Sequence, residues 1–346
     1  MSDPQTLDAY TYDLPKERIA QRPCHPADHA KMLVIDRTSG ALQDRCFYDL
    51  PDFLSANDRL VFNDTRVIPA RLFGTLDSSG QAAVELLLID KITDARWVCI
   101  GRPLKKIRAK GKVRLGESLW AEVVPDDSST DRVTVEFYTS ETTHISMAIA
   151  AHGCMPIPPY IRGGRGDELD EVDYQTIFAR NPGSVAAPTA SLHFNEELME
   201  RLRTDVRCAV SRITLHVGTA SFLPVFDNGN LRPPGSERFH VTDEVTREML
   251  ETRNSGGRVI AVGTTVVRAV ESSARQTDAE ATELFITPGY RFQRVDSVIT
   301  NFHQPGTTHL LLVEALLGKD LLARVYEHAL ANDYRFLSYG DGMLIL

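Results

Sequence analysis

Several features that define other classes of protein are missing from this chain of 346 residues. No apolar run approaches the roughly 18 residues that cross a bilayer, and the polar N-terminal segment lacks the profile of a signal peptide. The five cysteines are scattered without a Cys-x-x-Cys pair, which argues against a disulfide framework and against a zinc site. We therefore expect a cytoplasmic protein with reduced thiols and no membrane partner.

The common signatures of nucleotide binding and of serine hydrolysis are missing too. The sequence contains no Walker loop, no glycine fingerprint for dinucleotides and no serine nucleophile elbow. No cluster of residues has the spacing of metal ligands, and no internal repeat is present. Neither a metal nor a redox cofactor is expected.

Acidic residues are in excess, and the formal net charge is −9. One segment reverses this balance, since residues 102–114 (RPLKKIRAKGKVR) contain seven Lys or Arg and no acidic residue. Such a patch can bind a phosphate backbone even on an acidic protein, and the candidate RNA contacts are Lys105, Lys106 and Arg108. The alternative is a solvated loop and strand that binds nothing.

The order of the predicted elements indicates two domains. From about residue 66 to 138 come short strand-like runs separated by turns, which are typical of a small antiparallel β-barrel or sandwich. After about residue 192, strands alternate with helices, which indicates an α/β arrangement with some parallel pairing. The prediction is a discontinuous α/β domain formed by residues 1–64 and 151–346, with a small antiparallel β-barrel inserted at 65–150.

Similar polar sequences end three of the predicted α/β strands: HVGT at 216–219, VGTT at 262–265 and TNFH at 300–303. In open α/β sheets, ligands bind beyond the carboxyl ends of the strands. Thr264 is expected to cap the helix that follows, and Arg268 lies one turn further on. Helix amides, a hydroxyl and a guanidinium can together bind a carboxylate or a phosphate.

Two further segments have the composition of ligand-contacting loops. Residues 183–195 (GSVAAPTASLHFN) surround one histidine with small residues, which lets a ligand approach the backbone, and Asn195 is expected to cap the next helix. Residues 63–66 (NDTR) follow a predicted strand at the domain junction. With the strand ends and the C-terminal loop, these segments supply the residues expected to contact substrate: Asn63, Thr65, Arg66, Ser191, Gly218, Thr219, Thr264, Thr265, Arg268, Asn301 and Tyr339.

Three histidines fall at loop positions that could converge: His193, His216 and His303. A neutral imidazole near pH 7 suits general-base catalysis, although a lone histidine at a strand end is more often a hydrogen-bonded structural residue. The carboxylate of Asp64 is a fourth candidate for the base.

A series of longer motifs runs in order along nearly the whole chain. They are YDLPKERIAQRP (12–23), FNDTRVIPARLFG (62–74), MPIPPYI (155–161), YQTIFA (174–179), GSVAAPTASLHF (183–194), LHVGT (215–219), AVGTTVVRAVES (261–272), LFITPGYRF (284–292), TNFHQPGTT (300–308) and YRFLSYGDGMLI (334–345). Together they resemble the S-adenosylmethionine:tRNA ribosyltransferase-isomerase family of queuosine biosynthesis. No one of these motifs would suffice alone.

The resemblance implies an α/β domain with an inserted β-barrel, and a particular reaction. S-adenosylmethionine would be the co-substrate, and its ribosyl group would move to the aminomethyl group of 7-aminomethyl-7-deazaguanine at the tRNA wobble position. The products would be epoxyqueuosine-tRNA, adenine and methionine. The base would be one of the four candidates above, with His303 and His216 favoured. Arg66 and Arg268 would hold the methionine carboxylate or an RNA phosphate, and we expect a monomer.

The chain departs from the family pattern at several positions. Asp173 and Ala27 replace arginines, Ser191 replaces a glycine, and Gly235 replaces a histidine. Two alternatives therefore stay open: a paralogue that uses S-adenosylmethionine with a changed acceptor, and a non-catalytic tRNA-binding protein that kept the fold and the basic segment.

Overall fold

The computed structural model describes residues 11–76, 82–125, 131–140, 144–218, 226–227, 230–231, 233–276 and 279–346. Thr219, which was expected to contact substrate, lies outside these ranges. The chain forms two compact units. The sheet unit comprises Met1–Arg66, Gln175–Pro182 and Ala187–Leu346, and the barrel unit comprises Val67–Tyr174 and Gly183–Ala186.

Both units contain strands and helices. The described strands are β1 (Lys31–Ile35), β2 (Leu42–Cys46), β3 (Arg59–Asn63), β4 (Thr65–Val67), β5 (Arg71–Leu76), β6 (Ala83–Lys91), β7 (Arg96–Arg102), β8 (Lys112–Arg114), β9 (Leu119–Val124), β10 (Val133–Thr139), β11 (Asn181–Ser184), β12 (Ala209–Leu215), β13 (Phe226–Asp227), β14 (Asn230–Leu231), β15 (Glu237–His240), β16 (Val259–Val262), β17 (Ala281–Thr282), β18 (Ser297–Asn301) and β19 (Gly342–Ile345). The described helices are α1 (Leu104–Lys110), α2 (Ile145–His152), α3 (Asp170–Asp173), α4 (Glu196–Arg201), α5 (Asp243–Asn254), α6 (Thr264–Arg275), α7 (Thr308–Leu317) and α8 (Lys319–Ala331). In the described part of the chain, no helix is both long enough and apolar enough to cross a membrane.

The sheet unit is built on one mixed sheet of nine described strands, in the order β17-β15-β12-β3-β16-β18-β19-β1-β2. The four strands β12, β3, β16 and β18 are parallel to one another. β16 and β18 are buried at every position, as expected for parallel strands that other elements cover on both faces. The predicted alternation of strands and helices over the C-terminal half is confirmed by this parallel core.

Two strands at the other end of the sheet were not predicted from the sequence. β2 has the sequence LQDRC and exposes its three middle residues, so it lacks the apolar alternation that indicates a strand. β19 has only four residues. It lies antiparallel to β18 and parallel to β1, and this position depends on parts of the chain that are distant in sequence.

The barrel unit contains a closed antiparallel barrel of described strands in the order β10-β7-β6-β5-β8-β9. Burial alternates along β7, where Trp97, Cys99 and Gly101 are buried, because successive side chains of a strand point to opposite faces. Gly74 lets β5 approach β8, since a Cβ atom there would lie 2.2 Å from the carbonyl oxygen of Arg114. The barrel and the α/β sheet confirm the predicted fold class.

The barrel unit extends past the predicted domain limits of 65–150, because residues 151–174 also belong to it. The backbone of Cys154 exchanges two hydrogen bonds with that of Arg71 in β5, at 3.2 and 2.9 Å. The buried guanidinium of Arg71 also donates to the carbonyl oxygens of Ile157 and Gly164. This aperiodic segment is therefore attached to a barrel strand by backbone groups that leave no pattern in the sequence.

The basic segment 102–114 contains a helix in addition to the predicted strand. Gly111 ends α1 in the left-handed region with a φ of 74°, and β8 follows directly. Ile107 is buried in the barrel core. Three basic residues on the rest of the helix surface are exposed: Lys105, Lys106 and Arg108.

Candidate active site

The four central parallel strands end side by side at one edge of the sheet, called here the carboxyl edge. β12 ends at Leu215, β3 at Asn63, β16 at Val262 and β18 at Asn301. β19 runs in the opposite direction, so its first residue, Gly342, pairs with Asn301. The polar sequences that follow these strands therefore begin at adjacent positions, where open α/β sheets bind ligands.

Asn63 joins two of these strand ends. Its Oδ1 accepts hydrogen bonds from the backbone N–H groups of Leu215 at 3.0 Å and Thr65 at 3.1 Å. Its Nδ2 donates to the Leu215 carbonyl at 2.9 Å and to Oγ1 of Thr265 at 3.4 Å. Because the side chain is fully buried and both of its polar atoms are used, Asn63 fixes the strand ends. This role differs from the expected substrate contact.

The carboxylate of Asp64 is held next to this bridge. Its Oδ1 accepts hydrogen bonds from Oγ1 of Thr214 at 2.6 Å and from Nδ2 of Asn181 at 3.0 Å. Asp64 and Thr65 are buried, whereas Arg66 is exposed on β4. The four junction residues therefore divide into three that pack inside the sheet unit and one cation at its surface.

His216 follows β12 directly and is only partly buried. Its Nδ1 lies 2.9 Å from Oγ1 of Thr65, and its backbone N–H donates to the Arg238 carbonyl at 2.9 Å. Burial and then the charge of Arg238 lower the pKa of His216, while Asp64 opposes the shift. The imidazole is therefore neutral at pH 7, and its contact with Thr65 orients the ring through Nδ1.

His193 is buried and stacks on Phe47, with ring centres 4.0 Å apart. Nδ2 of Asn301 lies 3.2 Å from its Nε2, and Oδ1 of the same amide accepts from Oγ1 of Thr189 at 2.9 Å. Burial, with a smaller effect of Arg335, lowers the pKa of His193 to about 3. With the amide as donor, Nε2 is already occupied as an acceptor. This arrangement suits a structural histidine better than the expected base.

His303 lies beyond β18 and stacks on His309 of α7, with ring centres 5.0 Å apart. Its Nε2 is 2.9 Å from Oγ1 of Thr300, and its backbone N–H donates to Oη of Tyr326 at 3.0 Å. Burial and the neighbouring His309 lower the pKa of His303 well below its usual value. Burial and the charge of Arg268 lower the pKa of His309 to about 4. Both rings are therefore neutral at pH 7.

Arg268 is buried one turn into α6 and has a carboxylate partner, Glu237 of β15. Its Nε donates to the Leu284 carbonyl at 3.0 Å, and the backbone N–H of Gly218 donates to Oε1 of Glu237 at 3.0 Å. Burial raises the pKa of Glu237, against the opposing effects of Arg268 and of the Gly218 N–H. The guanidinium thus differs from the open clamp that was expected, because its charge is already balanced within the fold.

A small cleft brings two helix N-termini together at this edge. Its lining consists of Pro234, Thr264, Arg268, Phe285, Ile286, Thr308, His309 and Leu312. Thr264 and Thr308 are the first residues of α6 and α7, whose first-turn amides lack partners within the helix and favour an anion. Gly263, with a φ of 99°, precedes α6 as its N-cap. Thr264 was expected in that position and instead begins the helix.

The remaining predicted residues lie in different settings. Ser191 is fully buried, and its Oγ has no hydrogen-bond partner within the described chain. Tyr339 is buried just before β19. Asn195 caps α4 as predicted, since its side chain accepts from the N–H of Leu198 at 2.8 Å. Within the described residues, no group of three or more His, Cys, Asp or Glu side chains could hold a metal ion.

Two residues of this region were missed by the sequence analysis, His309 and Glu237. His309 is the second residue of the helix sequence THLLLVEALL, which indicates an ordinary apolar helix. Glu237 lies 31 residues before its partner, Arg268, on a strand of only four residues. The position of His309, six residues after His303, could have drawn attention to it in the sequence. No feature of the sequence points to Glu237 in the same way.

Comparisons with known proteins agree over nearly the full length. The chain matches the family model described as queuosine biosynthesis protein over residues 7–345. It is 42% identical to the S-adenosylmethionine:tRNA ribosyltransferase-isomerase of Symbiobacterium thermophilum, covering 98% of this chain and 99% of that one. The protein of the same name from Jannaschia sp. is 43% identical, with coverages of 98% and 97%. The crystal structure of the S-adenosylmethionine tRNA ribosyltransferase from Thermotoga maritima is similar with a TM-score of 0.55 and 31% identity, covering 98% of this chain and 100% of that one.

Proposed function

The chain belongs to the S-adenosylmethionine:tRNA ribosyltransferase-isomerase family of queuosine biosynthesis, and we propose that it performs this reaction on a modified wobble base. The ribosyl group of S-adenosylmethionine is transferred and isomerised onto the aminomethyl group of 7-aminomethyl-7-deazaguanine in tRNA. The products are epoxyqueuosine-tRNA, adenine and methionine. The enzyme acts in the cytoplasm as a monomer.

The observation that carries this proposal is the cleft between the first turns of α6 and α7. The carboxylate end of the methionine group binds there, because helix N-termini favour an anion and Thr264 and Thr308 add hydroxyl groups. Arg268 contributes little net charge, since Glu237 neutralises it. His303 and His309 are neutral at pH 7, so they do not repel the positive sulfonium.

His216 is the general base in this account. The sulfonium acidifies the C5′ hydrogens, and the base removes one of them. Ring opening releases adenine, the tRNA amine then attacks, and closure of the epoxide expels methionine. His216 and His303 are both partly exposed, whereas His193 is buried, and Asp64 supports the protonated form of His216. The pKa of His193 and that of His303 are lowered much further, which makes those rings weaker bases.

The position of His216 also favours this assignment. Its backbone bonds to Arg238, the residue next to Glu237 in β15. Glu237 in turn pairs with Arg268, which lines the cleft. His216 is therefore linked to the proposed carboxylate site by a short series of contacts within the sheet unit.

The tRNA is bound in part by the exposed cations of α1. Lys105, Lys106 and Arg108 lie on a helix that carries no acidic residue. Phosphate contacts of this kind supply affinity without reading sequence.

Product analysis tests the proposed reaction. The protein is incubated with S-adenosylmethionine and with tRNA that carries 7-aminomethyl-7-deazaguanine, and adenine and methionine are quantified by mass spectrometry. A matched tRNA with guanine at the wobble position is the control. We expect adenine and methionine in equal amounts with the modified tRNA and neither with the control.

The two alternatives predict other results. Binding of S-adenosylmethionine without turnover on the modified tRNA would indicate a paralogue with another acceptor. Salt-sensitive tRNA binding without binding of S-adenosylmethionine would indicate a non-catalytic tRNA-binding protein. Either result contradicts the proposed function.

A further inference from the structure

A row of aromatic and cationic side chains crosses the outer face of the barrel. Arg114 of β8 is paired in register with Trp120 of β9, and Trp120 is paired with Tyr138 of β10. Side chains directly opposite in a ladder share one face of the sheet. The alternate residues of the same strands are buried in the barrel core: Val113, Ala121 and Phe137. Arg114, Trp120 and Tyr138 therefore point outward, and we call them the outer row.

The two rings of the outer row lie nearly parallel to each other. Their planes differ by 14° and their centres lie 6.0 Å apart, while Tyr138 is 38% exposed. Nζ of Lys112 lies 5.4 Å from the centre of the Trp120 ring. A third large ring, Phe73 of β5, is 52% exposed, and β5 is the other neighbour of β8 in the barrel. Aromatic surface thus adjoins the cations on both sides of β8.

Two carboxylates on this face are paired with cations. Glu122 lies 3.6 Å from Nζ of Lys112, and Glu136 lies 2.7 Å from the guanidinium of Arg96. Within the described residues, the guanidinium of Arg114 donates through Nε to the Gly116 carbonyl at 3.2 Å. No carboxylate of the described chain pairs with this guanidinium, so Arg114 can contact a phosphate beside the rings.

The basic helix lies directly before β8 in the chain. α1 leads through Gly111 into β8, so its exposed cations precede Lys112 and Arg114 within a single run of chain. A solvated face of a barrel in a chain of net charge −9 has no folding requirement for such a concentration of cations and exposed rings. Aromatic platforms flanked by cations are the usual surface for unpaired nucleotides, because bases stack on the rings while the cations follow the backbone.

We propose that the outer row stacks unpaired nucleotides of the substrate RNA, with Trp120 and Tyr138 as the stacking platform. The inference rests on the proposed function, since it assumes that this protein acts on tRNA. It adds a base-stacking contact to the phosphate contacts already assigned to α1. The partner is single-stranded RNA such as a tRNA loop, because the bases of a paired helix are not free to stack on a protein ring.

Tryptophan fluorescence and binding together test the stacking contact. The chain contains two tryptophans, and the other one, Trp97, is buried in the barrel core. Modified tRNA is titrated into the wild-type protein and into Trp120→Phe and Trp120→Leu, with Leu250→Ala on the exposed surface of α5 as a control. Thermal melting verifies that each variant is folded.

We expect tRNA to quench the wild-type emission and not that of Trp120→Phe. Trp120→Leu should weaken tRNA binding about 5- to 100-fold with an unchanged salt slope, since no cation is removed. Trp120→Phe should retain most of the affinity, and Leu250→Ala should bind like the wild type. A paired RNA of equal length should quench much less than the tRNA.

Several results would overturn the inference. One is a tRNA affinity of Trp120→Leu equal to that of the wild type. The others are quenching of Trp120→Phe equal to that of the wild type, and a salt slope that decreases in Trp120→Leu. Adenine release separates this failure from failure of the proposed function. If Trp120→Leu releases adenine with the wild-type KM for tRNA, the stacking contact is absent and the reaction stands. If the wild type releases no adenine, the reaction itself is contradicted.

Discussion

The carboxyl edge of the sheet and the outer row of the barrel use polar residues in opposite ways. At the sheet edge, side chains such as Asn63 and Arg268 are buried and bonded to fixed partners. On the barrel, Lys105 and Lys106 are exposed, and the rings of the outer row are partly open to solvent. Buried, mutually bonded groups hold reacting atoms in a fixed geometry. Exposed cations suit a flexible polyanion that is bound mainly by charge.

The largest expected effect tests the fixed partners at the sheet edge. Glu237→Ala leaves the buried guanidinium of Arg268 without its carboxylate, which should lower the free energy of unfolding by about 3–5 kcal/mol. Denaturant unfolding measures the change. Glu200→Ala is the matched control, because the Glu200–Arg203 pair is exposed and should contribute less than about 1 kcal/mol. An equal decrease in the free energy of unfolding of the two variants would contradict the contrast between buried and exposed ion pairs.

The second expected effect concerns the barrel and leaves the fold intact. Replacing Lys105, Lys106 and Arg108 together by Ala should reduce the slope of log K against log salt for tRNA binding by about 2, at about 0.7 per phosphate contact. The free energy of unfolding should change by less than about 0.5 kcal/mol per site. Binding at a series of salt concentrations measures the slope. A slope identical to that of the wild type would show that other residues contact the phosphates.

The smallest effect is in the pH dependence of the reaction. A base must be unprotonated, and the pKa of His216 is lowered from 6.5. Adenine release, measured as kcat/KM, should therefore be level near pH 7 and fall about tenfold per pH unit once the pH drops below that lowered pKa. The acid limb should thus begin below pH 6.5. An acid limb of the kcat/KM profile with its midpoint above pH 7 would indicate that a group other than His216 titrates.

The sequence predicts the architecture better than the contacts at the site. Alternating strands and helices place parallel strand ends at one edge, so the convergence of 216–218, 262–265 and 300–303 follows from element order alone. Short alternating strands likewise predict the barrel. The sequence did not indicate the partners of the site residues: the pairing of Arg268 with Glu237 depends on β15, which has four residues and no distinctive pattern.

Two other features show why local patterns were insufficient. α1 has only Leu104 and Ile107 as an apolar pair within a run of cations, so its helical periodicity is too short to be recognised. The burial of His193 follows from its stacking on Phe47, which lies almost 150 positions earlier in the sequence. Sequence spacing places a histidine in a loop, but tertiary packing decides whether its ring is accessible.

The most direct test of the account is the rate of adenine release by His216→Ala at saturating S-adenosylmethionine and modified tRNA. Loss of a general base should slow this step by about 100-fold or more. His240→Ala, which removes an exposed histidine from β15, should stay within about twofold of the wild type. A His216→Ala enzyme that releases adenine within tenfold of the wild-type rate would show that another group removes the proton.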